Sequence, residues 1–541
     1  VSEKPRIRVK ARGMEIQRAD APVATVPSRR ATAYLRDSGS NVIAARPAAL
    51  RLHNDEVRRV WERAGALAID MVQNSGRLKG ACDQMLADVI GNELMLNPQP
   101  DLSRLGYSDK ERSEFIALVK AWWKRHSWNP AEFDFRGKWT ASQQCDIALR
   151  YWLAWGESTS LVLYMDEADR RRYGIATGNK LMMVPPHRLV RTTNEFENLY
   201  QGVTIDDNGR PASYRFRERV NGIDMDTDYA AHDDRGRPLV IHAFDPMCAE
   251  DMRGISPMAP MMRKYLMAEN LDDATAQMAF LQTVYAMVLT SKSPSEEAFE
   301  ALEDMASQKG TLGELGQDYL NYFKARMDRA ADSKISVGSA PTVSHLAPDE
   351  DLAFKTAGVP GPQYESFSKS LLREQARSLG VTYGGYTGDY TDATYSSVRM
   401  EIGGVWPIVV RRRDRLVAPH VQAAYEHGLE EEIASGRIPF KGGYRAFQAN
   451  RQQVLYASWQ GPPKPTADDL KSAKAQGARI DARTSSVQLE CADNGTDFEE
   501  LFAMQLAEHQ RYRDAGMKSP YDELIAAGAN PDAGNGSAVN G

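Results

Sequence analysis

The apolar and polar positions divide the chain into a helical start, a short β-rich block and a second, longer helical half. Helical periodicity begins near Asn54, where Val57, Val60, Trp61, Ala64, Leu67 and Met71 recur at three- and four-residue steps. A second helix is predicted over Lys110–His126, leading into the cluster Trp122, Trp123 and Trp128. A third is predicted over Ser142–Trp155, with Ala148, Leu149, Trp152 and Leu153 inward. Short strand-like runs follow at Ser160–Met165, Lys180–Val184, Gly202–Ile205 and Leu239–Phe244. Asp207-Asn208-Gly209-Arg210-Pro211 is a turn signal that lets Tyr214–Val220 return as a hairpin partner. This block reads as a small sheet beside the helices.

From Ser256 to about Lys292 the pattern predicts one long helix, roughly 50 Å at 1.5 Å per residue. Seven of the 21 methionines lie between Met252 and Met287, a composition suited to adjustable packing surfaces. Residues 293–333 read as charged and helical. Strands are expected at Lys334–Val343 and Leu352–Lys355, and a Gly/Pro-rich link then leads to a helix at Gln363–Leu379. A Tyr- and Gly-rich stretch, Gly380–Tyr395, precedes a helical pattern from Thr394 to Ser435. There Gly403-Gly404 and Pro407 predict a kink. The last helices are expected at Ala467–Gln476 and Asp497–Ala515. Residues 1–30, with eight Lys/Arg against three acidic residues, read as a basic, poorly ordered arm, and 526–541 as a disordered tail. The fold class is therefore α+β, mainly α-helical.

Composition narrows the function. The 541 residues carry 67 Lys+Arg against 73 Asp+Glu, a net charge of −6, which weighs against a free-standing DNA binder held by phosphate contacts. Cys82, Cys145, Cys248 and Cys491 form no C-x-x-C pair and match no His spacing. A zinc cluster or disulfide framework is not expected, and a reducing compartment fits best. Ala274–Ser291 is 18 residues without a charge, but polar residues interrupt it, so it reads as a buried or oligomer-facing helix and no membrane contact is expected.

Phosphate loops, nucleophile elbows, H-E-x-x-H helices and dinucleotide turns are absent. Asp224-Met225-Asp226-Thr227-Asp228 starts like a calcium loop, yet Tyr229 and Arg235 stand where glycine and glutamate belong, which favours a solvated acidic loop. His242, inside an apolar strand, reads as a core histidine. No catalytic residue, cofactor or metal site is expected.

The order of the motifs carries more than any one of them. Gly156-Glu157 is followed by Gly202-Val203-Thr204-Ile205-Asp206 and Val240-Ile241-His242-Ala243-Phe244-Asp245-Pro246. Met252-Arg253-Gly254-Ile255-Ser256-Pro257 comes next, then His345-Leu346-Ala347-Pro348-Asp349-Glu350, Phe367–Arg373 and Asp389–Arg399. This series, over about residues 30–520, resembles the lambda-type portal proteins of tailed bacteriophages. The chain departs from that pattern at Ala249-Glu250-Asp251, where the family has Pro-Gly-Gln. It departs again at Thr391 and Thr394, and at the Gly403-Gly404…Pro407 interruption.

The resemblance implies a non-enzymatic ring subunit, present in twelve copies at one special vertex of the capsid. It implies double-stranded DNA in transit, packaging by a terminase, head–tail joining through an adaptor, contact with the major capsid protein, and DNA ejection. The subunit would be a virion component assembled in the host cytoplasm. Carried onto this numbering, the parts are an arm at 1–30, a wing at 31–256, a stem helix at 257–289, a clip at 290–362 and a second stem helix at 363–380. A tunnel loop at 381–395, a kinked wing helix and following segment at 396–470, and a crown with tail at 471–541 complete it. Tyr383, Tyr386, Asp389, Tyr390, Asp392 and Tyr395 are candidate tunnel-loop residues, or an ordinary turn packed under the wing. Glu269, Asp272, Asp273 and Glu365 are candidates for a repulsive channel lining, or a solvated helix face. Arg411, Arg412, Arg413 and Arg415 would face DNA or bridge to an acidic neighbour. Twelve copies would carry −72, which suits a conduit that must not grip its cargo. Two alternatives are a metal-dependent hydrolase using the Asp224–Asp234 carboxylates and a monomeric capsid-associated adaptor.

Overall fold

The computed structural model describes residues 52–284, 288–291, 350–353, 364–391, 393–466 and 468–522, with three single positions between 317 and 325. The basic arm, the tail, and the expected strand at 334–343 lie outside the described residues. The first helices are α1 (His53–Asn74), α2 (Gly76–Val89), α3 (Asp109–Trp128), α4 (Pro130–Phe133) and α5 (Ala141–Trp155). Reciprocal capping boxes start two of them. Ser108 and Glu111 satisfy each other's backbone N–H groups at α3, and Thr140 and Gln143 do so at α5.

Between α1 and α2 on one side and α3 and α5 on the other runs a single apolar core. Trp123 packs on Phe133, Tyr425 and Trp459 with ring centroids 5.2–5.9 Å apart. Trp122 and Trp123 are therefore core residues, whereas Trp128 is exposed. This core draws on sequence-distant pieces. Strand β1 (Met95–Pro98) pairs antiparallel with β11 (Ala457–Gln460), joining the two halves of the chain.

The β-rich block forms two sheets. In the first, β2 (Glu157–Tyr164) lies between β3 (Asn179–Val184) and β8 (Val240–Phe244), with α6 (Glu167–Tyr173) in the β2–β3 connection. The second has the order β4-β5-β6-β7, from Leu199–Tyr200, Val203–Ile205, Pro211–Val220 and Ile223–Ala230. The expected hairpin is present, with Val203 opposite Tyr214. The acidic stretch read as a loop is instead strand β7: Asp224, Asp226 and Asp228 stand opposite Arg219, Arg217 and Arg215 on β6. Opposite charges at matching period-two positions hold the pair in register.

The second half begins with α7 (Met262–Val284), about 35 Å long. The long helix predicted to reach Lys292 is therefore shorter, because Val288-Leu289-Thr290-Ser291 forms strand β9, as its β-branched residues favour. β9 pairs antiparallel with β10 (Glu350–Ala353), so the ends of the intervening insertion meet. Helix α8 (Tyr364–Leu379) returns along α7, and the short α9 (Tyr383–Thr387) leads to α10 (Tyr395–Arg412).

α10 continues as one helix through Pro407. The carbonyl that the Pro407 ring would meet belongs to Gly403, whose bare backbone can tilt outward. The helical irregularity comes later, as a π segment at Arg413–Val417 before α11 (Ala418–Ala434). Pro419 is the second residue of α11, and the wide turn accommodates its ring and missing N–H. Helices α12 (Gly443–Ala449), α13 (Arg451–Val454), α14 (Asp469–Asp481), α15 (Val487–Asp493) and α16 (Phe498–Asp514) complete the chain. Neither α14 nor α16 has a buried residue. No helix among the described residues is long and apolar enough to cross a membrane.

Three buried histidines couple this core to pH. Burial pulls His126 and His420 down to about 3 and His427 down to about 4, so all three are neutral in the folded chain. His420 on α11 holds β2 through the Ser158 and Ser160 hydroxyls, at 2.8 and 2.6 Å. An unfolded chain protonates its histidines near pH 6.5. Their contribution to stability is thus complete above about pH 6.5 and is lost progressively as the pH falls toward 4. The melting temperature is expected to drop through that window, and His420→Gln to make the drop shallower; an unchanged slope in the variant would refute the assignment to His420.

Candidate functional site

The motifs that stood out by their order converge on one buried ion pair. Gly156 ends α5 in the left-handed conformation, at φ 85°. The next residue, Glu157, opens β2 with a fully buried carboxylate. Both carboxylate oxygens accept from the Arg253 Nε, at 2.7 and 2.9 Å, and one also accepts from the Gly254 N–H at 3.0 Å. His242 on β8 places its Nε2 3.0 Å from the same carboxylate. The remaining Arg253 nitrogens donate to the carbonyls of Pro186, Leu189 and Gln201, and the guanidinium lies 4.6 Å over the Trp61 ring. Burial alone would push the Glu157 carboxyl up, but Arg253 and then His242 outweigh it and hold it down at about 2.

Glycine is required where the two segments cross. A Cβ on Gly156 would lie 2.0 Å from the Ile255 carbonyl carbon, and one on Gly254 would lie 2.1 Å from the Gly156 oxygen. The node therefore fixes where the chain leaves the sheet and enters α7.

α7 and α8 form an antiparallel hairpin. Lys264, near the start of α7, pairs with Glu374, near the end of α8. The Tyr364 hydroxyl, at the start of α8, donates to Asp272. Among the candidate lining residues, Asp272 also lies 3.8 Å from Arg77 on α2, and Glu269 accepts from the Tyr265 hydroxyl. Both are half-buried, and Asp272 ties α8 to α7 while Glu269 bonds within α7. Asp273 is exposed, and Glu365 is exposed with Lys369 at 2.8 Å. The structure thus separates two half-buried carboxylates, of which Asp272 cross-links helices, from two that are exposed. Apolar Met267, Met278 and Phe367 are also exposed on this hairpin.

The segment 381–395 is partly a packed turn. Tyr386 is buried and donates to Gln375 at 2.8 Å, so it is a core residue and not a lining one. Tyr383 is half-buried beneath Arg373. Asp389 accepts the Thr391 N–H at 3.0 Å and shapes the bend. Tyr390 and Tyr395 are exposed. Asp392 lies outside the described residues.

The four arginines also divide. Arg412 and Arg413 are buried, contrary to the expectation that they face DNA or a neighbour. The π segment turns them inward: Arg412 donates to the Leu379 carbonyl at the end of α8, and Arg413 to the Val89 carbonyl at the end of α2. Both therefore cap helix C-termini, where a cation is favoured. Arg411 is exposed and pairs with Asp245, and Arg415 is exposed.

The carboxylates of the hydrolase alternative do not gather. Asp226 and Asp228 are engaged by Arg217 and Arg215, at 2.9 and 2.7 Å, and Asp233 closes a turn with Arg237. The pairing was foreshadowed by Arg215-x-Arg217-x-Arg219 and Asp224-x-Asp226-x-Asp228, two period-two runs of opposite sign.

Replacing Arg253 by Met would leave the Glu157 charge buried and unpaired, at a cost of about 3–5 kcal/mol. Adding Glu157→Leu is expected to recover part of that loss. Urea unfolding followed by Trp fluorescence tests this, and a double variant no more stable than Arg253→Met alone would count against the pair as the organising contact.

The family model described as Phage portal protein, lambda family, matches residues 41–413. A protein named Portal protein from Escherichia phage N15 is 26% identical over 480 residues, covering 85% of this chain and 86% of its own length. Portal protein B of Escherichia phage lambda is 26% identical over 476 residues, with the same coverage of each chain. Among solved structures, a chain from the neck of an empty gene transfer agent particle, computed with C6 symmetry, is similar with a TM-score of 0.41. It is 14% identical and covers 84% of this chain and 97% of that one.

Proposed function

Because this chain belongs to the lambda family of phage portal proteins, we propose that it assembles as a ring, with twelve copies the expected number, around a channel for double-stranded DNA. Its role as a portal protein is structural: it is a virion component, the conduit for packaging, head–tail joining and ejection. The observation that carries the geometric part of the reading is the α7–α8 hairpin. Two antiparallel helices bear an insertion whose ends are drawn together by the β9–β10 ladder, and they expose Met267, Met278 and Phe367 to solvent in a single subunit. Apolar groups in such a row favour burial, and a ring of identical hairpins buries each between two neighbours.

In this reading α7 and α8 are the stem, residues 290–362 the clip, 381–395 the tunnel loop, and the sheets with the first helices the wing. The helix spanning 395–434, with its following segment, belongs to the wing as well. α14 to α16 belong to the crown, where Leu470, Leu489, Phe502 and Leu506 are exposed and gain cover from adjacent subunits. Asp273 and Glu365, with the exposed Tyr390 and Tyr395, are the candidates for the channel wall. Carboxylates there repel phosphate and keep DNA sliding. Terminase and a head–tail adaptor would dock on the ring and the major capsid protein would surround it, with assembly in the host cytoplasm.

Two measurements test the reading. Met267→Asp with Phe367→Asp is expected to abolish rings in negative-stain images while leaving the circular dichroism spectrum unchanged; intact rings would reject the hairpin as the subunit contact. Asp273→Lys with Glu365→Lys is expected to leave rings intact but lower the DNA packaged per head by about tenfold, the size of effect set by a few new phosphate contacts. Normal packaging would remove these two residues from the channel wall.

A further inference from the structure

The four cysteines have no metal-binding spacing in sequence, but folding brings one of them beside two other ligand types. We propose that His53, Cys248 and Asp251 form a site for a divalent transition-metal cation of the zinc class. One ligand atom from each, a ring nitrogen, the thiol sulfur and a carboxylate oxygen, lie within 4.8 Å of one another. No other group of three or more His, Cys, Asp or Glu side chains among the described residues comes together in this way. The donor set is decisive about the ion. Magnesium and calcium take oxygen ligands, whereas sulfur and imidazole nitrogen with one carboxylate select zinc and its neighbours.

The site is held in place by contacts that do not involve an ion. One Asp251 oxygen accepts the N–H groups of Met247 and Cys248, both at 2.8 Å, and so closes the turn that carries two of the ligands. Asn54, next to His53, donates to the Glu250 carbonyl at 2.6 Å and accepts the Met252 N–H at 2.9 Å. Gln201 in turn holds the Asn54 carbonyl at 3.1 Å. The turn and the first residues of α1 are thus docked already, and a cation would order little more chain on binding.

The other Asp251 oxygen lies 2.7 Å from His53 Nδ1. Two ligands on a tetrahedral zinc stand about 3.3 Å apart, so entry of the ion requires only a small rotation of the His53 ring. The Asp251 side chain is 2% exposed and that of His53 25%, while Cys248 is exposed. The ion would therefore have protein on one side and an open fourth position for water on the other. Bound there, it would fasten the start of α1 to the segment that leads into Arg253.

The test uses the full-length protein, stripped of metal with a chelator and titrated with cobalt(II), which reports its own geometry and ligands. The expected result is one cobalt per subunit, with visible d–d bands of tetrahedral coordination and an ultraviolet sulfur-to-cobalt charge-transfer band. Cys248→Ser should abolish the charge-transfer band, and His53→Ala should weaken binding by about tenfold or more. Zinc should also slow alkylation of Cys248, the exposed thiol, while Cys82, Cys145 and Cys491 are buried. The proposal is overturned if no stoichiometric cobalt is bound, if Cys248→Ser leaves the spectrum unchanged, or if zinc leaves the alkylation rate of Cys248 as it was.

Discussion

The Glu157–Arg253 pair is the contact on which the placement of everything else depends. A charge taken out of water is tolerated only when its partner and remaining hydrogen-bonding groups are all supplied. Here the supply comes from β2, β8, the connections after β3 and β4, and the Trp61 face of α1. Satisfying this one ion pair therefore requires five separate stretches of chain to be correctly positioned. The crossing of Gly156 and Gly254 beside it adds a steric condition that side chains larger than hydrogen cannot meet. The direction in which α7 departs is a consequence of that node.

From there the architecture divides by how its apolar surface is disposed. The first helices, the three-stranded sheet and α11 bury most of theirs within the subunit, down to the rings of Trp123, Tyr425 and Trp459. The α7–α8 hairpin and α14 to α16 do not. A subunit closed in one part and open in the other is compatible with the proposed ring, in which neighbours would cover the open part. Arg412 and Arg413 stand at the boundary. Arg412, buried at the end of α8, anchors the hairpin to the closed part, and Arg413 holds the end of α2 within it.

Local signals made much of the fold legible. The helices at 53–74, 109–128, 141–155 and 364–379 announced themselves by periodicity. The hairpin at 203–220 did so by its turn. The β1–β11 ladder did not, because four-residue strands more than 350 residues apart leave no trace in a sequence window. Strand β7 was hidden by its composition: three aspartates read as a solvated loop until their arginine partners are placed opposite. The π segment at 413–417 had no signal of its own in the sequence, although Pro419 lies just beyond it. Among the candidate site residues, type and position indicated the region but not the direction of each side chain. Tyr386 and Tyr390 are four residues apart and point respectively into the core and into solvent.

The β1–β11 ladder also sets an order of events during synthesis. The closed part of the subunit uses residues from Val57 to Trp459, so its core cannot be completed until more than four-fifths of the 541 residues have left the ribosome. The α7–α8 hairpin is made before that point, with Met267, Met278 and Phe367 on it. Nascent chains on one messenger would then present these apolar side chains to one another before any of them had a finished core.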